Sequence, residues 1–428
     1  MISKFKDTVL YKSEDKYIRS TKHNFNSYLN ISKNDFIDKF IVEYRRVMAV
    51  CLKELYSKTY YWEFKGRNYR FNLRNRYFPF GLPSFFNTSK FHCLQNYTGF
   101  LSGRMLSNIV NQLCNVLKGE LKSSKSLHHR FELPNIKNIN PEIYPKHITM
   151  ELNENENSIF KLYVTLLNFT KKRNENITIP IKLHKMDDKH SKKGILMHSI
   201  LLTSTYIGLR YEFEGSETKD KQLVVGADTG IRKICSFSDG QTTPKENNQH
   251  KTYNDIEEKI YRKKHNTKAY RKAVNEMKCF TREVLNKIKL DDISTLKLES
   301  NKGIKTNTKN ANKYWQREVI NTKIKYMCQD SGCDLISTLS QFKSVRCPNC
   351  NYVHKNNRIE EKFKCKCCSY EGDADVVSSI NNSIELPYVD LWVYRKIART
   401  SGFFWSIDGI VVNDNNTGHT AYPVLKLN

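Results

Sequence analysis

Four of the twelve cysteines form two Cys-x-x-Cys pairs, Cys347/Cys350 and Cys365/Cys368, separated by fourteen residues. Each pair suits a tight knuckle, and two knuckles present four thiolates to one tetrahedral zinc ion. Cys367 is a rival ligand, but the spacing favours Cys365 and Cys368. Four thiolates leave no open coordination position, so a zinc held this way is structural. Such an ion can hold together a segment too polar to build its own core. Three carboxylates also invite a chemical reading. Asp228 closes an apolar run in "QLVVGADTGIRKICSF", Glu299 ends "STLKLES", and Asp375 follows the cysteines in "SYEGDADVVSSINNSIE". Singly, Asp228 reads equally as a turn residue, Glu299 as an exposed strand end and Asp375 as a helix N-cap. Together they are the kind of group that two-metal phosphodiester hydrolysis needs, with ions held about 3.5–4 Å apart.

The elements around these residues are legible from pattern. The Asp228 stretch reads as strand, turn, strand, and "STLKLES" as a buried strand. Val376, Val377, Ile380 and Ile384 mark one face of a helix beginning near Asp375. A mixed sheet with carboxylates on two strands and a third at a flanking helix follows. Upstream, residues 5–20 alternate weakly and are expected to form a strand. "SKND" at 32–35 fits a capping box before the stripe Phe36, Phe40, Tyr44, Val47, Cys51, Leu55, and Met105, Ile109, Leu113, Leu117, Leu121 form a second stripe. Both stripes read as core. Between them, residues 60–86 interleave Arg67, Arg70, Arg74 and Arg76 with aromatic residues including Tyr69 and Tyr77. Guanidinium groups suit phosphates and exposed rings suit unstacked bases, so this stretch is a nucleic-acid-binding candidate. The bland alternative is an irregular loop with solvated arginines. From about 140 to 215, "HITMEL", "IFKLYVTLL", "ITIPIKLH" and "SILLTSTYIGLRYEF" give a β-rich unit, expected to be a small barrel.

The chain has 428 residues, enough for two or three structural units, and a formal charge of 71 − 44 = +27. That charge favours polyanionic partners, nucleic acid before an anionic membrane surface. No apolar run approaches the roughly 20 residues needed to span a bilayer, and the first residues lack a secretory signal. The expected location is therefore the cytoplasm, with reduced thiols, and the eight cysteines outside the two pairs read as core residues or idle thiols. An aspartic protease built on Asp228-Thr229-Gly230 would need two carboxylates sharing a proton. No second Asp-Thr-Gly is present, and that reading explains neither the charge nor the cysteines.

With these motifs in hand, the sequence resembles the TnpB family of transposon-associated RNA-guided nucleases and their descendants, the miniature type V CRISPR effectors. The family's G-x-D-x-G is matched by Gly226-Ala227-Asp228-Thr229-Gly230, its strand-ending Glu by Glu299, and F-x-C-x-x-C by Phe363 to Cys368. Its D-x-D-x-N-A-A-x-N-I carries over to Asp373 and Asp375, with Asp375 catalytic and Asp373 a cap or supporting group. Val377 stands where the family has Asn, and Ser378 and Ser379 replace two alanines, the serines being small enough to keep the helix close to the sheet. The resemblance is specific over about residues 221–386. It implies an α/β, RNase H-like RuvC nuclease domain with an inserted zinc ribbon, a helical recognition domain and a β-barrel-like wedge domain. The boundaries are 1–31 for the first wedge strand, 32–134 for recognition, 135–220 for the wedge, 221–344 for the first RuvC part, 345–368 for the ribbon and 369–386 for the third motif; 387–428 is an extension with no assigned role. It further implies an RNA-guided DNA endonuclease with two catalytic Mg²⁺ ions on Asp228, Glu299 and Asp375, a structural zinc, and guide RNA and target DNA as partners. The cellular setting implied is the prokaryotic cytoplasm, close to the nucleoid, and the oligomeric state is open between a monomer and a homodimer on one RNA. The alternative within the family is a regulator that binds DNA through its guide without cutting.

Overall fold

The expected single strand over residues 5–20 is two strands in two different sheets. In the computed structural model, β1 (Thr8–Tyr11) and β2 (Tyr17–Asn24) are parted by a turn in which Asp15 N–H donates to Lys12 O at 3.1 Å. The structure describes residues 8–65, 68–73, 91–127, 135–155, 157–172, 175–216, 219, 223–231, 233–299, 314–339, 341–389, 395–414 and 418–422. It divides into one unit of Met1–Lys16 with Glu214–Asn428, and another of Tyr17–Phe213.

The Tyr17–Phe213 unit begins with β2 and then α1 (Ile31–Thr59). Asn30 rather than Ser32 caps this helix, accepting from Lys33 N–H at 3.0 Å, because Ser32 already lies inside the first turn. β3 (Tyr60–Lys65) and β4 (Asn68–Leu73) form an antiparallel hairpin, where the bland alternative had an irregular loop. α2 (His92–Gln95) and α3 (Gly103–Leu127) follow. The helical stripes meet as core: Phe40, Tyr44, Val47 and Cys51 of α1 and Met105, Ile109, Leu113 and Leu117 of α3 are all buried. Next come β5 (Glu142–Ile143), β6 (Ile148–Leu152), β7 (Leu162–Leu166), β8 (Ile177–Ile181), α4 (Lys185–Ser191), β9 (Ile195–Leu202) and β10 (Tyr206–Phe213). The last expected strand is thus a hairpin, turned at Thr203, whose hydroxyl donates to Tyr206 O at 2.9 Å. The strands make two sheets, β2-β10-β9-β5 and β6-β7-β8. The expected small barrel does not close among the described residues, whose strands divide between these two sheets with no hydrogen-bonded ladder joining them.

The other unit is built on the sheet β1-β14-β13-β11-β12. Its strands are β11 (Val224–Thr229), β12 (Cys235–Phe237), β13 (Thr295–Glu299) and β14 (Asp334–Thr338), with α5 (Tyr253–Tyr261) and α6 (Lys268–Leu285) leading to β13 and α7 (Arg317–Ser331) leading to β14. β12 is antiparallel to β11, whereas β13 runs parallel to β11 and β14 parallel to β13. Parallel neighbours require crossover connections, and the intervening helices supply them. α7 stops at Gly332, whose φ of +66° is the left-handed cap that lets Cys333 N–H return to Cys328 O at 2.9 Å. The cysteine-rich segment follows as β15 (Tyr352–Val353), β16 (Arg358–Ile359), β17 (Lys362–Lys364) and β18 (Glu371–Asp373), and the chain enters α8 (Ala374–Ser383).

The C-terminal stretch has a structural part to play. β19 (Phe403–Ser406), β20 (Gly409–Asp414) and β21 (Gly418–Tyr422) form a sheet with β15 of the ribbon, Tyr352 facing Phe404 and Val353 facing Phe403. Val353, Val389, Ala398, Phe403, Trp405 and Ile410 give this sheet its own core.

Candidate active site

The four cysteines of the two knuckles converge. Cys347 and Cys368 sulfurs are 3.6 Å apart and those of Cys350 and Cys365 are 3.5 Å apart. All four sulfurs lie within 4.8 Å of one another. Sulfurs on a tetrahedral zinc, each about 2.3 Å from the ion, would be about 3.8 Å apart, so the cluster fits the metal. Cys367 is exposed and outside the cluster; its backbone N–H donates to Cys365 Sγ at 3.3 Å. Burial pushes the Cys347 thiol up to about 11, while a backbone hydrogen bond from Tyr370 is the main cause that lowers Cys368 to about 6. Asn357 ties the knuckles together, donating to Val345 O at 3.0 Å and accepting from Lys366 N–H at 2.9 Å.

The sheet delivers two of the three carboxylates. Ala227 pairs with Leu298 across β11 and β13, which sets Asp228 and Glu299 at the same end of neighbouring parallel strands. The third comes from α8, which packs directly across β11. Gly226 makes this possible, because a Cβ there would come within 2.0 Å of Ser379 O and 2.4 Å of Ser383 N. Asn382 locks the approach by donating to Ala227 O at 3.1 Å. Asp373 is the N-cap of α8, accepting from Asp375 N–H at 3.0 Å and Val376 N–H at 3.3 Å, so Asp375 falls in the first turn.

The three acids share one electrostatic field. Burial holds Asp228 well above the usual carboxylate range, reinforced by a hydrogen bond with Glu299 and by the charges of Glu299 and Asp375. Two cations answer this crowding, and sequence reasoning missed both. Arg358 Nη2 lies 3.0 Å from Asp375 Oδ1, brought there by β16 of the ribbon. Lys233 pairs with Asp373 and lies 3.9 Å from Asp375 Oδ2. Burial would raise the Asp373 pKa, but Lys233 and the α8 N–H groups outweigh it and lower it. The only sequence signal for Arg358 was its place between the knuckles, and for Lys233 its place just after Asp228.

Arg346 is a further residue that pattern alone did not single out. It is buried beside Cys347, and its guanidinium donates to Trp405 O at 2.7 Å, Asn381 Oδ1 at 2.5 Å and Asn351 Oδ1 at 2.5 Å. One side chain therefore joins the C-terminal sheet, α8 and the first knuckle. Val377 points into the ribbon core with Phe363, Ala374, Cys347 and Cys365, so the residue that departs from the family motif packs as an apolar contact.

The arginine-aromatic stretch is only partly visible. Arg67, Arg74, Arg76 and Tyr77 lie outside the described residues, and Tyr69 and Arg70 lie on β4, opposite Phe64 and Glu63. A second polar cluster, His23, His184 and Asp187, also has metal-like composition. The Asp187 oxygens are already taken: Thr21 donates to Oδ1 at 2.6 Å and Tyr211 at 2.9 Å, while His184 N–H donates to Oδ2 at 2.9 Å. It reads as a buried tether between β2, β10 and α4.

With this geometry established, comparison with known proteins is informative. The family described as Cas12f1-like, TNB domain matches residues 319–382, from α7 through the ribbon into α8. The CRISPR-associated endodeoxyribonuclease Cas12f1 of Sulfoacidibacillus thermotolerans is 32% identical over 84 residues, 19% of this chain and 19% of that protein. These matches support a likeness to the miniature type V effector and TnpB-like family over the segment from α7 to α8. The match spans about a fifth of the length of that curated relative. Among solved structures, one of a Cas12f1–sgRNA–target DNA complex aligns at TM-score 0.46 and 12% identity over 83% of each chain. The mini-RNA-guided endonuclease CRISPR-Cas_phi3 aligns at 0.46 and 9% identity over 86% of this chain and 92% of that one. Within the miniature type V family segment the match contains Asp375, Arg358 and all four knuckle cysteines, whereas Asp228 and Glu299 lie upstream of it.

Proposed function

We propose that this protein is an RNA-guided, Mg²⁺-dependent DNA endonuclease whose hydrolytic centre is Asp228, Glu299 and Asp375. The observation that supports the reading is that two neighbouring parallel strands and the first turn of α8 bring three half-buried carboxylates to one end of the sheet, where burial and then Glu299 and Asp375 raise the Asp228 pKa. The sheet is consistent with it: the parallel strands β11, β13 and β14 are flanked by antiparallel β12 on one edge and β1 on the other, and the hairpin-then-parallel part resembles an RNase H-like plan. Carboxylate oxygens are the hard donors Mg²⁺ takes, and two bound ions would supply an activated water and stabilise the leaving oxygen. Asp228, Glu299 and Asp375 are not among the described groups whose ligand atoms already lie within 4.8 Å of one another, so binding the ions would draw them together. The chain's own contribution is to fix the acids: Gly226 admits α8, Asp373 caps it and Asn382 ties it to β11. Cys347, Cys350, Cys365 and Cys368 hold a structural zinc that keeps Arg358 at Asp375. In this reading guide pairing selects the target, while the protein grips backbone and a short adjacent duplex motif. Arg67, Arg70, Arg74, Arg76, Tyr69 and Tyr77 are proposed contacts to that nucleic acid.

The test separates capture from cutting. Asp228→Ala, Glu299→Gln and Asp375→Ala should each bind guide and target yet lose cleavage by at least a hundredfold, of the order of removing one electrostatic catalytic group. Asp373→Ala should keep appreciable cleavage, assayed on a guide-programmed plasmid library with and without Mg²⁺. Wild-type cutting by Asp228→Ala would sink the mechanism. One observation favours a second reading, a guide-directed regulator that binds without cutting. Both Asp375 oxygens face cations of the protein itself, Arg358 and Lys233. If wild type binds its target and never cuts, that reading takes over.

A further inference from the structure

Between Glu258 and Glu276 the chain carries no acidic residue, but it carries Lys259, Arg262, Lys263, Lys264, Lys268, Arg271 and Lys272. The two flanking acids are already engaged: Glu276 pairs with Lys251 at 2.9 Å and Lys259 at 2.5 Å, and Glu258 with Arg262 at 3.0 Å. Lys263, Lys264, Lys268 and Lys272 are exposed and have no carboxylate within ion-pair distance among the described residues. A merely solvated helical face would interleave both signs, as surfaces generally do. This one, at the turn between α5 and α6, is uniformly cationic. It also bears rings, with Tyr261 56% exposed and His265 exposed against Tyr270.

Its position follows from topology. α6 runs antiparallel to the climb of the preceding segment, through hydrogen bonds of Gln241 with Lys289, Asn248 with Glu283 and Lys251 with Glu276. That climb begins beside Phe237 and passes Cys235, which pairs with Thr229, toward the Asp228 end of the sheet. α6 spans about 27 Å, against about 16 Å for the five residues of β13. Its N-terminal tip therefore extends past the strand end that carries Glu299. α7 enters the bottom of β14 through Gly332, so its start lies at the same end, and Tyr261 meets Tyr314 just before α7 with ring centroids 5.1 Å apart.

We infer that the α5–α6 tip is a docking surface for single-stranded nucleic acid, holding by its phosphates the strand that enters the acidic site. The inference rests on the nuclease reading above. Unpaired lysines suit phosphates at any sequence, and exposed rings suit bases that are not stacked in a duplex. The test uses the full chain, alone and guide-loaded, with a fluorescein-labelled oligothymidylate in EDTA, so that binding is read without cutting. Replacing Lys263, Lys264 and Lys268 together by Ala should flatten the slope of log affinity against log salt by about 2, near 0.7 for each lost phosphate contact. Guide RNA affinity should stay within about twofold. The matching triple Lys→Arg variant should restore the slope. An unchanged slope in a variant with wild-type thermal unfolding overturns the inference. So does a parallel loss of guide RNA affinity, which would make the tip a guide-binding surface. Because the protein alone is titrated as well, failure to bind a guide or to cut would count against the nuclease reading and leave this measurement intact.

Discussion

Gly226 decides whether the third carboxylate can reach the other two. Its value lies in close approach, since a methyl group there would meet the backbone of α8 at 2.0 Å and neither partner is a flexible side-chain end. Gly226→Ala should therefore push α8 off β11, costing about 2–3 kcal/mol as an overpacked core site does and separating Asp375 from Asp228. Denaturant unfolding and the cleavage assay should fall together, and a stable variant that cuts at the wild-type rate would refute the argument. Val377 teaches the reverse. The family resemblance places Val377 where an Asn is usual, but the side chain is buried in the ribbon core. Restoring Asn would place an amide among apolar neighbours rather than beside the carboxylates.

At the scale of elements, the ribbon and the C-terminal sheet act on α8 through Arg346, and on Asp375 through Arg358 of β16. Zinc on the four sulfurs would organise the two knuckles, because the segment's own core amounts to Phe363, Ala374, Val377, the cysteines and the partly buried rings of Tyr352 and Tyr370. Metal analysis should find about one zinc per chain. Cys350→Ser should reduce that occupancy, lower stability and impair cutting more than binding, since Arg358 loses its mount while the rest of the basic surface remains. Full zinc content in Cys350→Ser would contradict the four-ligand assignment.

At the scale of the whole molecule, the chain divides into two units, each with buried hydrophobic clusters of its own. In the Tyr17–Phe213 unit the tether is Asp187. Burial would raise its pKa, but hydrogen bonds from His23, Thr21 and His184 hold it far below the ordinary carboxylate range. A depressed folded pKa contributes stability above the unfolded value of about 4, and that stability is lost as pH falls below it toward the folded pKa. Asp187→Asn should destabilise this unit by about 3 kcal/mol at pH 7, the cost of breaking a buried charged network. Its stability should also vary less between pH 5 and pH 3 (about one unit either side of that value) than wild type's. Chemical denaturation at both pH values measures this, and equal pH dependence in the two proteins would rule the tether out. Among the described residues no helix is long and apolar enough to cross a membrane.

The sequence by itself determined the local devices. Cysteine spacing defined both knuckles and preferred Cys368 over Cys367, and the apolar stripes of α1 and α3 marked their buried faces, because such signals depend only on neighbours a few residues away. It also identified the strands ending at Asp228 and Glu299 and a helix starting near Asp375. What it left undecided was long-range. Residues 8–24 divide between two sheets, the β-rich segment forms two open sheets instead of a barrel, and the C-terminal stretch adds to the ribbon at β15. Strand partners are chosen by packing and pairing across the whole fold, and no local pattern encodes them. For the same reason Arg358, Lys233 and Arg346 looked like ordinary surface cations until the fold brought carboxylates and carbonyls to them.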